Sequence, residues 1–260
     1  MRLVSTYELL TLQLRVLLAL VLRETRATFG TSSFGYLWAI ITPTASVGLL
    51  VFIFSLVNRQ PPFGNSLALF FATGILLLQF FTELSKKLMT AFSANRALLT
   101  YPVIKDVDTL FARSLLVTIT YLMIMVIFFG VLIMLGLASL PAAIEQVLAA
   151  FFTTALLGIG IGTTNAVIAS MWDTWIQIEQ VLTRPLFFLS GIFYVPSQLP
   201  PEAILFLRWN PVLHLVEWFR NGYYANYNSL VLDKSYPILL GIGLLMIGLA
   251  GERFFRKLRF

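Results

Sequence analysis

The chain has 260 residues, 58% of them hydrophobic and only 12% charged. Soluble domains carry about 25% charged residues, so this composition excludes an ordinary soluble protein and describes a polytopic membrane protein. With no cysteine and one histidine, disulfides, thiolate centres and His-based metal clusters are excluded. The net charge of +6 reads as basic flanks of membrane spans, not as nucleic-acid affinity.

Residues 4–28 read as a helix opened by Ser5-Thr6-Tyr7-Glu8, a capping-box pattern. At about 100° per residue, Glu8, Thr11, Arg15, Ala19, Arg23 and Arg26 fall within one narrow arc, and the rest is mostly Leu and Val. That pattern predicts an amphipathic helix lying in the membrane interface. A first span is the competing reading, but the uninterrupted apolar run from Val16 to Leu22 is far below the about 20 residues a span needs. The same run lacks a short basic start and a small-residue cleavage site, so no signal peptide is expected.

The first span is expected over 36–57, with Pro43 tolerated inside it, and a turn-rich break over 58–65 leads to a second over 67–90. A polar insert over 82–108 carries Lys86, Lys87, Arg96 and Lys105. Within it Ser93 can cap a short helix over 94–101 that Pro102 stops. Asp108 is expected to cap the third span, 109–135. After a tight return comes the fourth, 142–169, in which Gly158 and Gly162 form a small-xxx-small surface for close helix contact. Those glycines follow no strand and have membrane-apolar flanks, which argues against nucleotide binding. The fifth and sixth spans are expected over 176–195 and 236–251.

Between these last two, the stretch from Gly191 to Arg220 is apolar and aromatic, yet prolines cut it into pieces too short to cross. It reads as a re-entrant helical hairpin over 200–225. Pro200-Pro201 start one short helix with Glu202 in its first turn, and Trp209-Asn210-Pro211 resets the chain into a second. The fold class is therefore all-α: one interfacial helix, six transmembrane helices and a re-entrant hairpin in a single domain over 1–260. Thirteen basic residues fall on the side of the two termini and the 82–108 insert, against four on the other. That bias predicts cytoplasmic termini and an external hairpin.

The sequence carries no G-x-x-x-x-G-K-[ST] phosphate loop and no paired intramembrane carboxylates of the kind that relay protons. Active transport would need a partner to drive it, and the 82–108 insert is either the contact for that partner or a solvated basic loop. Arg184 lies within the fifth expected span beside Pro185; it either pairs with Glu179 or Asp173, or contacts an anionic substrate or lipid phosphate. Glu217 and Arg220, three apart, either neutralise each other or form a polar gate wall. Tyr194, Trp209, Trp218, Tyr223, Tyr224 and Tyr227 are either an aromatic belt or sugar-stacking faces.

Arg26, Gly30, Phe34-Gly35-Tyr36-Leu37-Trp38 and Pro43 resemble the N-terminal signature of ABC-2 type exporter permeases. Arg184-Pro185-Leu186, Ser190-Gly191-Ile192-Phe193-Tyr194, Leu199-Pro200 and Trp209-Asn210-Pro211 with His214, Glu217 and Arg220 resemble their C-terminal half. More narrowly, they resemble capsular-polysaccharide export permeases of the KpsM type. The resemblance implies a transport subunit rather than an enzyme, multi-pass in the bacterial inner membrane. It implies a homodimer that binds no cofactor itself and associates with two copies of a separate ATPase, which holds ATP and Mg. A coupling helix would contain Ser93, Asn95, Arg96, Leu98, Thr100 and Tyr101. A lipid-linked polysaccharide would pass between the subunits near the first and fifth spans, past Tyr36, Trp38, Arg184 and Tyr194. An external gate would comprise Trp209, Asn210, Pro211, His214, Glu217, Trp218 and Arg220, with periplasmic and outer-membrane export proteins beyond it. A permease for O-antigen or teichoic acid shares this fold; His214-Leu215-Val216-Glu217-Trp218 with Arg184-Pro185 favours capsule. A membrane enzyme acting on polyprenyl-linked sugars would need ionisable clusters at one membrane face, and the carboxylates here are scattered.

Overall fold

The computed structural model describes residues 6–30, 33–96 and 104–255, with residues 6–10, 12, 29, 33, 34 and 36 described as backbone alone. Among these residues the chain is helical throughout and has no strand. Helix α1 (Thr6–Phe29) is followed by α2 (Ser33–Leu56), α3 (Leu67–Met89), the single turn α4 (Ala91–Ala94), α5 (Asp106–Met134) and α6 (Ile144–Met171). The next stretch is broken into α7 (Trp175–Thr183), α8 (Leu186–Leu189), a 3-10 turn at Pro196–Gln198, α9 (Pro201–Leu207) and α10 (Pro211–Tyr223). The long α11 (Ser235–Phe255) ends the described chain.

Five helices are long and apolar enough to cross a membrane: α2 from Leu37 onward, α3, α5, α6 and α11. Helix α3 is the centre, with 72% of its most apolar window buried inside the chain against 11% for α2. Lipid tails are as apolar as leucine, so such burial measures close helix contact more than escape from a polar solvent. Small residues provide it. A Cβ at Gly158 would lie 3.0 Å from Leu84 Cδ2, and one at Gly162 2.8 Å from Leu88 Cβ, so the expected small-residue face of α6 does pack, against α3. Gly160, between them, faces α11: a Cβ there would lie 2.4 Å from the Gly241 carbonyl oxygen. Thr164 reinforces the same seam by donating from Oγ1 to Leu244 O at 2.8 Å.

The structure departs from local expectations where proline or a neighbouring residue intervenes. The continuous span over 176–195 is instead α7 and α8, of 9 and 4 residues. Pro185 has no N–H to continue the ladder, yet Arg184 and Pro185 keep helical dihedrals (φ −55, ψ −43 and φ −61, ψ −24), so the segment is a kinked helix. At a rise of about 1.5 Å per residue, residues 175–189 reach roughly 22 Å, short of the ~30 Å hydrocarbon core. Asp108 caps α5 from the third helical position and not from the N-cap, which is Lys105. The helix starts at Asp106, and Asp108 reaches back within its first turn to accept from Lys105 N at 3.0 Å. Ser93 lies inside α4 and donates to Thr90 O at 3.1 Å, and most of the helix expected over 94–101 falls outside the described residues. Leu98, Thr100 and Tyr101 lie outside the described residues.

Candidate functional site

The chain from Leu189 to Tyr223 folds around Arg220. Pro211 at the first helical position suits α10, and the Asn210 side chain accepts from Val212 N at 3.0 Å, capping it. The amide of Asn210 also donates to Leu189 O at 3.1 Å and to Ser190 Oγ at 3.0 Å, which ties the start of α10 to the end of α8. Every residue of α10 from Val212 to Arg220 is buried. Arg220 is wholly enclosed, with Nη1 donating to Gly191 O at 2.7 Å, Nε to Thr73 Oγ1 at 3.2 Å and Nη2 to Phe70 O at 3.4 Å. Its guanidinium lies 3.9 Å from the centre of the Phe70 ring. Gly191 can offer its carbonyl because it sits at φ +74, where any Cβ would also meet Leu213 Cδ1 at 2.9 Å.

Glu217 completes this centre. Its carboxylate is 3.6 Å from Arg220 and accepts from Tyr227 Oη at 2.6 Å and Ser229 Oγ at 2.7 Å. Burial first, and the Glu217 charge second, hold the Tyr227 hydroxyl well above its ordinary range, so it stays a donor. His214 accepts at Nδ1 from Asp233 N at 3.0 Å, which leaves the proton on Nε2 to be given to Arg208 O at 2.8 Å. Trp218 donates to Gln146 Oε1 at 2.8 Å. Of the two expected readings, the structure shows Glu217 and Arg220 paired with each other, both 0% exposed. They lock α10 to α3 and to the loop after α8. Of the gate residues expected from the sequence, Trp209 is the exposed one, at 68%.

A different surface is open. Helix α2 leaves Trp38, Leu49, Phe52, Ile53 and Leu56 exposed, and the kinked α7–α8 segment leaves Val181, Leu182, Arg184 and Phe188 exposed. The C-terminal part of α2 adjoins this segment: Phe54 stacks on Phe193 after α8, which packs in turn on Phe187 and Phe188. Arg184 forms no ion pair among the described residues. Its expected partners are elsewhere: Glu179 is buried near Lys86 and Ser85, and Asp173 is exposed. Tyr194 is half-buried and donates to Leu189 O at 3.1 Å. The side chain of Tyr36 lies outside the described residues.

The third cluster joins α1 to the other helices. Arg23 Nη1 donates to Asn95 Oδ1, while Asn95 Nδ2 donates to Ala91 O at 2.9 Å and the residue is 2% exposed. Glu24 pairs with Arg113 of α5, and Gln13 donates to Asp108 Oδ1 at 2.6 Å. Arg96 is exposed. Sequence reasoning missed Glu24, although a lone carboxylate off the polar arc of α1 demands a cation. It also missed Thr73, whose hydroxyl gives no sequence signal of serving Arg220 from 147 residues away.

The family model described as ABC-2 type transporter matches residues 15–224, a range holding the open face, Glu217 and Arg220, and Arg23, Glu24, Asn95 and Arg113. The chain is 30% identical to the Polysialic acid transport protein KpsM of Escherichia coli over 232 residues, 89% of this chain and 90% of that protein. It is 28% identical to the Capsule polysaccharide export inner-membrane protein CtrC of Neisseria meningitidis, covering 97% and 96% of the two chains. With the O-antigen export system permease protein RfbA of Klebsiella pneumoniae it shares 25% over 94% and 92%. This chain belongs to the ABC-2 type transporter family.

Proposed function

We propose that this chain is the membrane-spanning subunit of an ATP-driven exporter that moves a lipid-linked capsular polysaccharide across the bacterial inner membrane. The observation that carries the reading is the extent of the match: relatives named for capsule and polysialic acid export align over 89–97% of the chain. The relative named for O-antigen export is less similar, which favours capsule. A homodimer with two separate ATPase subunits holding ATP and Mg fits a chain without a phosphate loop. In this reading the exposed sides of α2 and α7–α8 meet a second copy, and the polysaccharide passes between them. The kinked α7–α8, continued by the chain to Val195, acts as the fifth of six crossings, and α9–α10 form the re-entrant external hairpin. The bias of thirteen basic residues against four supports cytoplasmic termini, and exposed Leu14, Leu18 and Leu22, four apart on α1, support its lying in the interface. Beyond the outer face, periplasmic and outer-membrane export proteins would receive the polymer.

Purification of the chain with a candidate ABC ATPase is expected to give a stable complex whose ATP hydrolysis rises when the glycolipid is added. Failure to associate with any ABC ATPase would remove the exporter reading. Arg184→Ala is expected to leave assembly intact and to lower surface polysaccharide about tenfold, the effect of losing one charge-assisted hydrogen bond of ~1.5 kcal/mol; unchanged capsule by immunoblot counts against a pathway role. Arg23→Ala, which frees the chain after α4 from α1, is expected to keep the ATPase bound and hydrolysing while export falls severalfold. Export and hydrolysis declining in parallel would instead assign Arg23 to assembly.

A further inference from the structure

A cavity of about 410 Å³ lies between α1, α2, α3 and α5, away from α7–α8 and the Arg220 centre, and it shares Trp38 with the exposed side of α2. Its lining runs from Lys87 back to Gln79 on α3 and from Arg113 to Ile124 on α5, roughly 12–17 Å at about 1.5 Å per residue. At one end Glu24 and Arg113 form an ion pair, each about 9% exposed, and Arg113 Nη1 also donates to Lys87 O at 2.9 Å, while Arg113 Nε makes no hydrogen bond of good geometry. The remaining polar demand follows one stripe. Gln79, Glu83 and Lys87 recur every four residues on α3, which puts them on one helical face, and all three line the cavity.

Each member of the stripe has capacity left. Gln79 Oε1 is buried and accepts no hydrogen bond among the described residues, a costly state for an acceptor at membrane depth. Glu83 and Lys87 are loosely paired at 3.7 Å and more than a third exposed, so a ligand can open them. The hydroxyls of Thr42, Thr82 and Thr120 donate to carbonyls of their own helices and ask for nothing further. In order, the stripe offers a neutral acceptor, an anionic acceptor and a cation. A ligand that matches it carries several N–H donors on a cationic group linked to an anion.

We propose that this cavity binds the headgroup of a glycerophospholipid with a primary ammonium, an ethanolamine phospholipid. The ammonium sits between Gln79 Oε1 and Glu83, and the phosphate sits on Lys87. A trimethylated choline headgroup has no N–H to give, and a glycerol headgroup brings no cation to Glu83. The source is a bilayer lipid, since the cavity lies among membrane-spanning helices and is bordered by Trp38, which is 68% exposed. The site braces α1 against α2, α3 and α5, and its occupant is a resident lipid distinct from the exported polymer.

The test uses the full chain, reconstituted in discs of equal ethanolamine, choline and glycerol phospholipids of matched acyl chains. It is then stripped with detergent and read by native mass spectrometry. Ethanolamine lipid is expected to be retained at least about fivefold over each of the others, the scale of one or two partly screened charged hydrogen bonds. Gln79→Leu and Glu83→Gln are each expected to reduce that preference toward unity, with the lipid-stripped proteins melting as stripped wild type does. Equal retention of the three lipids, or preference for the glycerol lipid, overturns the proposal. So does equally tight binding of soluble phosphoethanolamine, which would assign the cavity to a free solute. The wild-type preference decides the matter even if a variant fails to fold, and because the readout is binding, it is independent of whether the chain exports polysaccharide.

Discussion

Replacing Arg220 with leucine is expected to deplete folded protein from the membrane. The guanidinium is 0% exposed, bonds to Gly191, Thr73 and Phe70, and faces Glu217. Removing one partner of a buried ion pair costs about 3–5 kcal/mol, because the other charge stays buried and uncompensated. That is a large share of a typical total stability of about 5–15 kcal/mol. Arg220→Lys is expected to fail nearly as badly, since a single ammonium cannot reach acceptors spread around a planar fork. The double change Arg220→Met with Glu217→Gln is expected to recover part of the loss, because Tyr227 and Ser229 can still donate to a glutamine side-chain oxygen. Fluorescence-detected size exclusion over a temperature ramp reads all three. A wild-type melting profile for Arg220→Leu would show that the centre does not hold α10 in place.

The second large effect is expected at Gly160. A side chain there must occupy the place of the Gly241 carbonyl oxygen, 2.4 Å from the Cβ position and part of a helix backbone that cannot swing aside. Gly160→Val is therefore expected to push α6 from α11 and to break the Thr164–Leu244 hydrogen bond. Overpacking of this kind costs about 1–3 kcal/mol or more. Gly130→Ala is the control, because a Cβ at Gly130 would meet nothing within 4 Å. The pair of variants should separate clearly in recovered monodisperse protein. Equal recovery would mean that the α6–α11 seam adjusts without cost.

How far the sequence could be read depended on whether the cause was local. Length and apolarity are local, and they located the long helices. The Asn210-Pro211 cap is local as well, since the side chain that satisfies the first turn is next to it in the chain. Pro185 was visible too, but its consequence was underestimated: one missing N–H divides α7 from α8 while the dihedrals stay helical. Asp108 was legible as a capping carboxylate, and it does accept from Lys105 N; only its position in the first turn, after Asp106, was not. Non-local causes were hidden. Glu217 and Arg220 could be paired by spacing, but their complete burial depends on Phe70 and Thr73 of a distant helix. Gly158 and Gly162 announced one contact face of α6, whereas Gly160 matters only because Gly241 arrives from the far end of the chain.

In the proposed function, this subunit carries a lipid-linked polysaccharide across the membrane using the ATPase of a partner. Its most direct test is a proteoliposome holding the chain and that ATPase, with labelled glycolipid and ATP supplied on the ATPase side. Label protected from added glycosidase, or delivered to the lumen, is predicted to accumulate only with hydrolysable ATP and to fall with Arg184→Ala. Accumulation at the same rate without ATP, or none despite glycolipid-stimulated hydrolysis, would contradict the account.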